Sequence, residues 1–290
     1  MTYIKSPMNY TGGKYKLLPQ IQPLFPTDIN MFVDLFTGGG NIAVNVNANK
    51  IIANDKEKHV IDIYKAFQNG YECVDEIIDT IEAYITKYDL SKENAEGFNK
   101  LRNDYNYYNN LCFNSIYITS TMLYVLICYS FNHQFRFNSK GEFNMPFGKN
   151  RSQWNDNIKK NLTIFHKAIT EKDIIFTNKD FRELKVDKLK PNDFVYCDPP
   201  YLITCATYNE KDGWNEQCEK DLLNLLDNLN SKGVRFALSN VLFNKGKTND
   251  ILIEWSKKYN IHHLDYTYQN CSYHTKDKNS KPDEVLITNY

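Results

Sequence analysis

MFVDLFTGGGN, residues Met31 to Asn41, is the stretch that decides the fold. An apolar run broken only by Asp34 passes straight into three glycines. That pattern predicts a buried strand ending in a tight turn, followed by a helix over Asn41–Asn49. Glycine there lets backbone amides approach a ligand closely. The triplet is not G-x-G-x-x-G, so it gives poor support for a pyrophosphate cradle. Asp34, four residues before Gly38, suits a ligand that carries an ammonium group. Asp55, 21 residues after Asp34, falls where an acid commonly binds ribose hydroxyls. A plain sheet turn with a surface aspartate accounts for the same residues.

Similar short apolar runs follow. They are Ile51-Ile52-Ala53, ending in Asn54-Asp55, then Ile174–Phe176, Phe194–Cys197, Val234–Leu238, Ile261–Leu264 and Val285–Thr288. Between Phe194–Cys197 and Val234–Leu238, Glu216–Leu229 carries Leu222, Leu223, Leu225, Leu226 and Leu229 at helical spacing. The alternation predicts an α/β fold, a mostly parallel sheet with helices on both faces. From about Lys56 to Thr170 the rhythm breaks. This part holds helical candidates such as Val74–Lys87 and a Tyr/Asn-rich stretch over Asn103–Asn110. Two aromatic-polar runs around Ser139-Lys140-Gly141 predict a β-hairpin. The economical organisation is one domain from residues 1–55 and 171–290, with 56–170 inserted between its second and third strands.

The 290 residues are 42% hydrophobic and 24% charged, an ordinary globular mix with length for one large domain or two smaller ones. Thirty-five basic residues balance 35 acidic ones, so net charge neither demands nor excludes nucleic acid. No apolar run nears the roughly 18 residues of a membrane span, and the N-terminus lacks the apolar core of a signal peptide. Seven scattered cysteines without a C-x-x-C pair argue against a disulfide framework and a structural zinc site. A cytoplasmic protein with no metal and no membrane partner is expected.

Phe194-Val195-Tyr196-Cys197 opens directly onto Asp198-Pro199-Pro200-Tyr201. Two prolines fix their own φ and remove two backbone donors, which stiffens the strand exit. A carboxylate and a carbonyl there can accept both hydrogens of an amino group while an aromatic face stacks on a flat ring. Those are the requirements for gripping an extruded nucleobase. Cys197 alternates away from Asp198 along the strand and lies in no Pro-Cys pair, so it reads as a core thiol.

In their order and spacing these segments resemble the Dam-like (alpha-group) adenine-specific DNA methyltransferases over almost the whole chain. MNYTGGKYKLLPQI, from Met8, is similar to the family's N-terminal cofactor motif, with Tyr10, Gly13 and Lys14 at matching positions. DLFTGGGN resembles the main S-adenosylmethionine motif, and Asn54-Asp55 the ribose-binding acid. Asn178-Lys179-Asp180-Phe181 looks like the segment that holds the cofactor adenine, and DPPY like the catalytic motif. TYNEKDGW from Thr207, FALSN over Phe236–Asn240 and the terminal EVLITNY also fit. The resemblance implies a Rossmann-like S-adenosylmethionine-dependent methyltransferase sheet. Its insertion would be a mainly helical target-recognition domain carrying a β-hairpin. Implied cofactor residues are Tyr10, Gly13, Lys14, Asp34, Phe36, Gly38, Gly40, Asp55, Asp180, Phe181 and Asp198. Asp198, Pro199, Pro200 and Tyr201 would be catalytic.

The implied activity is methyl transfer from S-adenosylmethionine to the exocyclic amino nitrogen of a flipped adenine in duplex DNA. S-adenosylhomocysteine would be the product, and no metal would be needed. Arg136 to Arg151 resembles the family's DNA-contacting hairpin and the segment after it. Arg136, Asn138, Lys149 and Arg151 are the candidate contacts, with solvated hairpin charges as the alternative. Lys5 and Lys14 add candidate phosphate contacts, and KDKNSK at 276–281 reads as a loop. Double-stranded DNA is the expected partner, and a cognate restriction endonuclease a candidate second one. Two other readings compete. An RNA adenine or protein-amide methyltransferase is disfavoured by Asp198, where glutamine-modifying relatives carry Asn, and by the hairpin. A non-catalytic DNA-binding module is disfavoured by the intact DPPY.

Overall fold

The computed structural model describes residues 2–111, 116–183, 185–204, 213–265 and 282–290. In chain order its elements begin with α1 (Leu18–Ile21), β1 (Met31–Asp34), α2 (Asn41–Asn45) and β2 (Lys50–Asn54). Helices α3 (Lys58–Asn69), α4 (Val74–Lys87), α5 (Ala95–Asn109), α6 (Ile116–Tyr129) and α7 (Asp156–Glu171) follow. Then come β3 (Ile174–Thr177), β4 (Phe194–Cys197), α8 (Glu216–Ser231), β5 (Arg235–Asn244) and β6 (Lys247–Thr248). The chain ends with α9 (Asp250–Ser256), β7 (Asn260–Leu264) and β8 (Asp283–Thr288). Residues 1–15, 38–45 and 57–178 form one compact unit, and residues 16–37, 46–56 and 179–290 a second.

The second unit carries strands in the order β2-β1-β4-β5-β8-β7, with β6 paired to β5. β2, β1, β4 and β5 run parallel. β8 is antiparallel to both β5 and β7. Side chains alternate between faces along each strand. On one face Val33, Val195, Cys197, Phe236 and Leu238 pack under Leu222, Leu223, Leu226 and Leu229 of α8 and Leu252 of α9. Each buried leucine contributes roughly 1.5–3 kcal/mol by leaving water. The opposite face puts Phe25, which follows α1, against Phe32, Phe194 and Tyr196, with ring centroids 4.9–6.2 Å apart. Asp34 belongs to this second face, opposite Tyr196 in register. Cys197 is fully buried, and burial pushes its thiol pKa up, which suits a core residue.

Two elements differ from expectation. α2 stops at Asn45 instead of Asn49 because the Asn45 side chain turns back, exchanging hydrogen bonds of 2.8 and 2.7 Å with the Ile4 backbone. β5 runs on past Leu238 to Asn244 because β8 pairs along it, and it then turns into β6. That turn, Lys245-Gly246, has both φ values positive, as a two-residue hairpin loop requires.

The first unit is helical. α6 is buried from Ser120 to Tyr129 and packs against α3, α4 and α5. A helix that is apolar all round has to be enclosed in this way. Asn94 and Asn155 cap α5 and α7 with their side-chain oxygens. The expected hairpin is present as a short antiparallel pair: Phe137 bridges Phe143, and the Asn138 and Asn144 amides donate to the Glu142 and Arg136 carbonyls, each at 2.9 Å. No helix among the described residues is long and apolar enough to cross a membrane.

Candidate active site

Asp34 ends β1, Asp55 follows β2 and Asp198 follows β4. These are three adjacent parallel strands, so three carboxylates stand at their common C-terminal edge, the usual binding edge of such sheets. Asp34 is 1% exposed, and neither of its oxygens has a hydrogen-bond partner among the described residues. Burial lifts its pKa well above the ordinary carboxylate range, and the Asp198 and Asp55 charges lift it further. The Thr37 hydroxyl and the Phe36 amide oppose the rise from outside hydrogen-bonding geometry. The surface-aspartate alternative is therefore overturned. A buried, unsatisfied carboxylate beside two others is costly unless a cation completes it.

Asn54 builds this edge. Its backbone oxygen accepts the Thr37 amide at 2.7 Å, and its side chain donates to the Leu35 and Lys179 carbonyls at 3.1 and 3.0 Å. Its Oδ1 accepts the Lys179 amide at 3.1 Å, so one asparagine ties together the segments that follow β1, β2 and β3. Asp180 follows next, and its carboxylate accepts from Arg182 Nη1 at 3.1 and 3.2 Å. The Arg182 guanidinium lies 4.6 Å from the Phe181 ring centre and donates to Asp221 at 2.7 Å. Phe36 and Phe181 meet at 5.6 Å, and Trp214 joins both at 5.6 and 5.7 Å.

At the exit of β4, Pro199 is buried, Pro200 exposed and Asp198 half-buried. The Tyr201 hydroxyl donates to Asp198 Oδ1 at 3.0 Å and also lies 3.4 Å from Glu284 Oε1. Besides the ring face expected to stack, Tyr201 thus presents a hydroxyl with carboxylate partners. Glu284, 1% exposed, was missed as a site residue. Its signal in the sequence is an acid set directly before the apolar Val285-Leu286-Ile287 of β8, next to Asp283.

The first unit holds Tyr10, Gly13, Lys14, Gly38 and Gly40. Gly38, with φ +45°, lies under the Tyr10 ring, where an added Cβ would come within 2.9 Å of a ring carbon. At Gly40, φ +72°, the Phe165 ring takes the same space. Side chains of this chain thus account for both glycines. Gly13 donates its amide to the Tyr10 carbonyl at 3.1 Å. Lys14 is 5% exposed, and its Nζ donates to the Gly12 carbonyl at 3.0 Å.

Arg136, Lys149 and Arg151 are exposed. Arg136 is held along one edge by Asn144, with Nε on Oδ1 at 2.9 Å and Nη2 on the carbonyl at 3.1 Å. Asn138 is occupied by its own turn, accepting the Lys140 and Glu142 amides and donating to the Glu142 carboxylate. The Arg151 guanidinium sits 5.0 Å from the Phe131 ring centre. Thr207 to Asp212 and the 276–281 stretch lie outside the described residues.

Residues 10–270 match the model of the D12 class N6 adenine-specific DNA methyltransferases. The chain belongs to that family. It is 52% identical, over its whole length, to the type II methyltransferase M.FokI of Planomicrobium okeanokoites, covering 43% of that protein. It is 46% identical over 99% of its length to the modification methylase StsI of Streptococcus sanguinis, again covering 43%. A DNA adenine methylase of Salmonella typhi is 24% identical over 80% of this chain and 79% of its own length. The chain thus spans less than half the length of the first two relatives. Methyltransferase membership implies S-adenosylmethionine as methyl donor. The residues fit it: the buried Asp34 carboxylate suits its ammonium, Asp55 its ribose, and the Phe36–Phe181 pair its flat adenine.

Proposed function

We propose that this chain methylates the exocyclic amino nitrogen of adenine in duplex DNA, at a specific site, with the target base turned out of the helix. The observation that carries the reading is the carboxylate edge, where buried Asp34 stands among Asp55 and the Asp198 rim. S-adenosylmethionine supplies, when bound, a methyl group activated by positive sulfur. Asp34 would bind its ammonium, Asp55 its ribose, and Asp180 with Phe36 and Phe181 its adenine. Sequence resemblance assigns Tyr10, Gly13, Lys14, Gly38 and Gly40 to the same ligand.

The amino nitrogen of adenine is a poor nucleophile because its lone pair is delocalised into the ring. Asp198 and the Pro199 carbonyl would accept its two hydrogens and turn the lone pair out of that conjugation. Tyr201 would stack on the base while its hydroxyl orients Asp198. Positioning of this kind is the main demand of a direct transfer. Within residues 56–170, Arg136, Asn138, Lys149 and Arg151 would meet the duplex. A cytoplasmic location and a cognate restriction endonuclease as second partner complete the reading, the latter suggested by the type II name of M.FokI and the modification name of StsI.

The test is methyl incorporation into duplex DNA, RNA and protein, with Asp198→Ala as control. Duplex DNA should be labelled at adenine. Asp198→Ala should lose transfer by a hundredfold or more, on the order of 3 kcal/mol, while binding S-adenosylhomocysteine within a few-fold of the parent. Labelling of RNA or a glutamine side chain in preference to DNA would overturn the substrate, and near-native turnover of Asp198→Ala the mechanism.

A further inference from the structure

Glu219, in the first turn of α8, is 1% exposed and has no cationic partner among the described residues. Three donors converge on it. Its Oε2 accepts the Trp214 indole N–H at 2.6 Å, and its Oε1 accepts the side-chain amides of Asn240 and Asn249 at 3.2 and 3.0 Å. Neither amide is free to turn over. Asn240 Oδ1 takes the Val241 amide at 2.8 Å, and Asn249 Oδ1 caps α9 by taking the Leu252 amide at 3.1 Å. Only an acceptor-only side chain satisfies all three donors, and among neutral or anionic side chains that is a carboxylate. Burial raises the Glu219 pKa and the three hydrogen bonds work against the rise.

A purely structural lock would need only α8, β5 and α9, which Asn240 and Asn249 already join. Trp214 lies outside those elements. Its ring stands nearly perpendicular to Phe36, at 79°, and contacts Phe181 as well. Phe36 comes two residues after Asp34, and Phe181 directly follows Asp180. Trp214 and Phe36 are only half-buried, which leaves ring surface open to a ligand.

We propose that Trp214 is a further wall of the surface that takes the cofactor adenine, and that Glu219 is the positioning residue that holds its indole there. This rests on the reading of Phe36 and Phe181 as adenine contacts. Glu219 touches no reacting atom and acts through Trp214.

The experiment titrates S-adenosylhomocysteine by calorimetry into the parent chain, Trp214→Ala, Trp214→Phe and Glu219→Gln, with thermal midpoints recorded for each. A Trp154→Phe/Trp255→Phe background leaves Trp214 as the one indole, since the chain has three tryptophans. The ligand should quench its emission. Trp214→Ala should weaken binding tenfold or more and Trp214→Phe by only a few-fold, because an aromatic face is kept. Glu219→Gln should shift the Trp214 emission to the red, weaken quenching and raise the dissociation constant several-fold. Should Glu219→Gln not fold, Trp214→Ala carries the test, since its ring is only half-buried. A parent chain that binds while Trp214→Ala stays within twofold, with no emission response, overturns the inference. A lower midpoint for Glu219→Gln with unchanged binding and emission overturns its positioning role. A parent chain that does not bind at all instead sinks the cofactor assignment above.

Discussion

Asp34 is a buried carboxylate whose burial costs stability, a cost that the proposed ammonium ligand would offset. Its raised pKa means that the folded chain holds a proton at pH values where the unfolded chain, with an ordinary carboxylate near 3.8, has lost it. Stability from this group is therefore greatest below that ordinary value and falls as pH rises through the folded-state value. Asp34→Asn should flatten that decline and unfold at an equal or higher temperature at pH 8, while binding S-adenosylhomocysteine at least tenfold more weakly. Thermal melts across pH, with calorimetry at one pH, measure both effects, and a lower midpoint with intact binding would remove Asp34 from the site. Tyr201 belongs to the same scale. Tyr201→Phe keeps the ring but loses the donor to Asp198, a charge-assisted bond worth about 1.5–3 kcal/mol. Turnover should fall roughly tenfold or more through kcat, and Tyr201→Ala should lose more because the stacking face goes too. Equal activity of Tyr201→Phe and the parent would return the residue to stacking alone.

The turn from Arg136 to Asn144 is the element on which DNA readout is proposed to depend. Its Phe143 backbone is fixed to α5 by Asn106, whose side chain accepts the Phe143 amide at 2.8 Å and donates to the carbonyl at 3.2 Å. Asn138 closes the turn, and Asn144 fixes one edge of the Arg136 guanidinium. Asn138→Ala should therefore act through the turn and weaken methylation of every site alike. Arg136→Ala should cost about 1–3 kcal/mol on the preferred site and relax discrimination at one base position if it reads a guanine. Lys149→Ala, a phosphate-type contact, should weaken all sequences and lower the salt slope by about one unit. Methylation of a panel of single-base variants at two salt concentrations separates these outcomes. Uniform losses for Arg136→Ala would confine the turn to holding the duplex.

For the molecule as a whole, the unsatisfied Asp34 carboxylate makes a bound cation a stabiliser. S-adenosylmethionine at a hundredfold excess over its dissociation constant should add about 2.7 kcal/mol, which raises the midpoint by roughly 4–5 °C for a chain of this size. The rise should shrink in Asp34→Asn and survive in Asp198→Ala. A chelator added to the assay should leave activity unchanged. A midpoint indifferent to ligand, or activity lost on chelation, would contradict the proposed site.

Sequence alone determined the parallel strands and the positions of Asp34, Asp55 and Asp198 at their ends. Period, glycine and proline are local signals, and a strand's end is legible from the residues that stop it. It also placed Cys197 in the core, by alternation with Asp198. What tertiary structure decided depends on partners far apart in the chain. The burial of Asp34, the three-way tie made by Asn54, the filling of the space at Gly38 by Tyr10 and the Tyr201–Asp198–Glu284 grouping are all contacts of this kind. So is the anchoring of Trp214 by Glu219, an acid that reads in sequence as one more polar position of an amphipathic helix. Periodicity tells which face a residue takes on its own element. It carries no information about which donor, ring or carboxylate the fold brings against it from elsewhere.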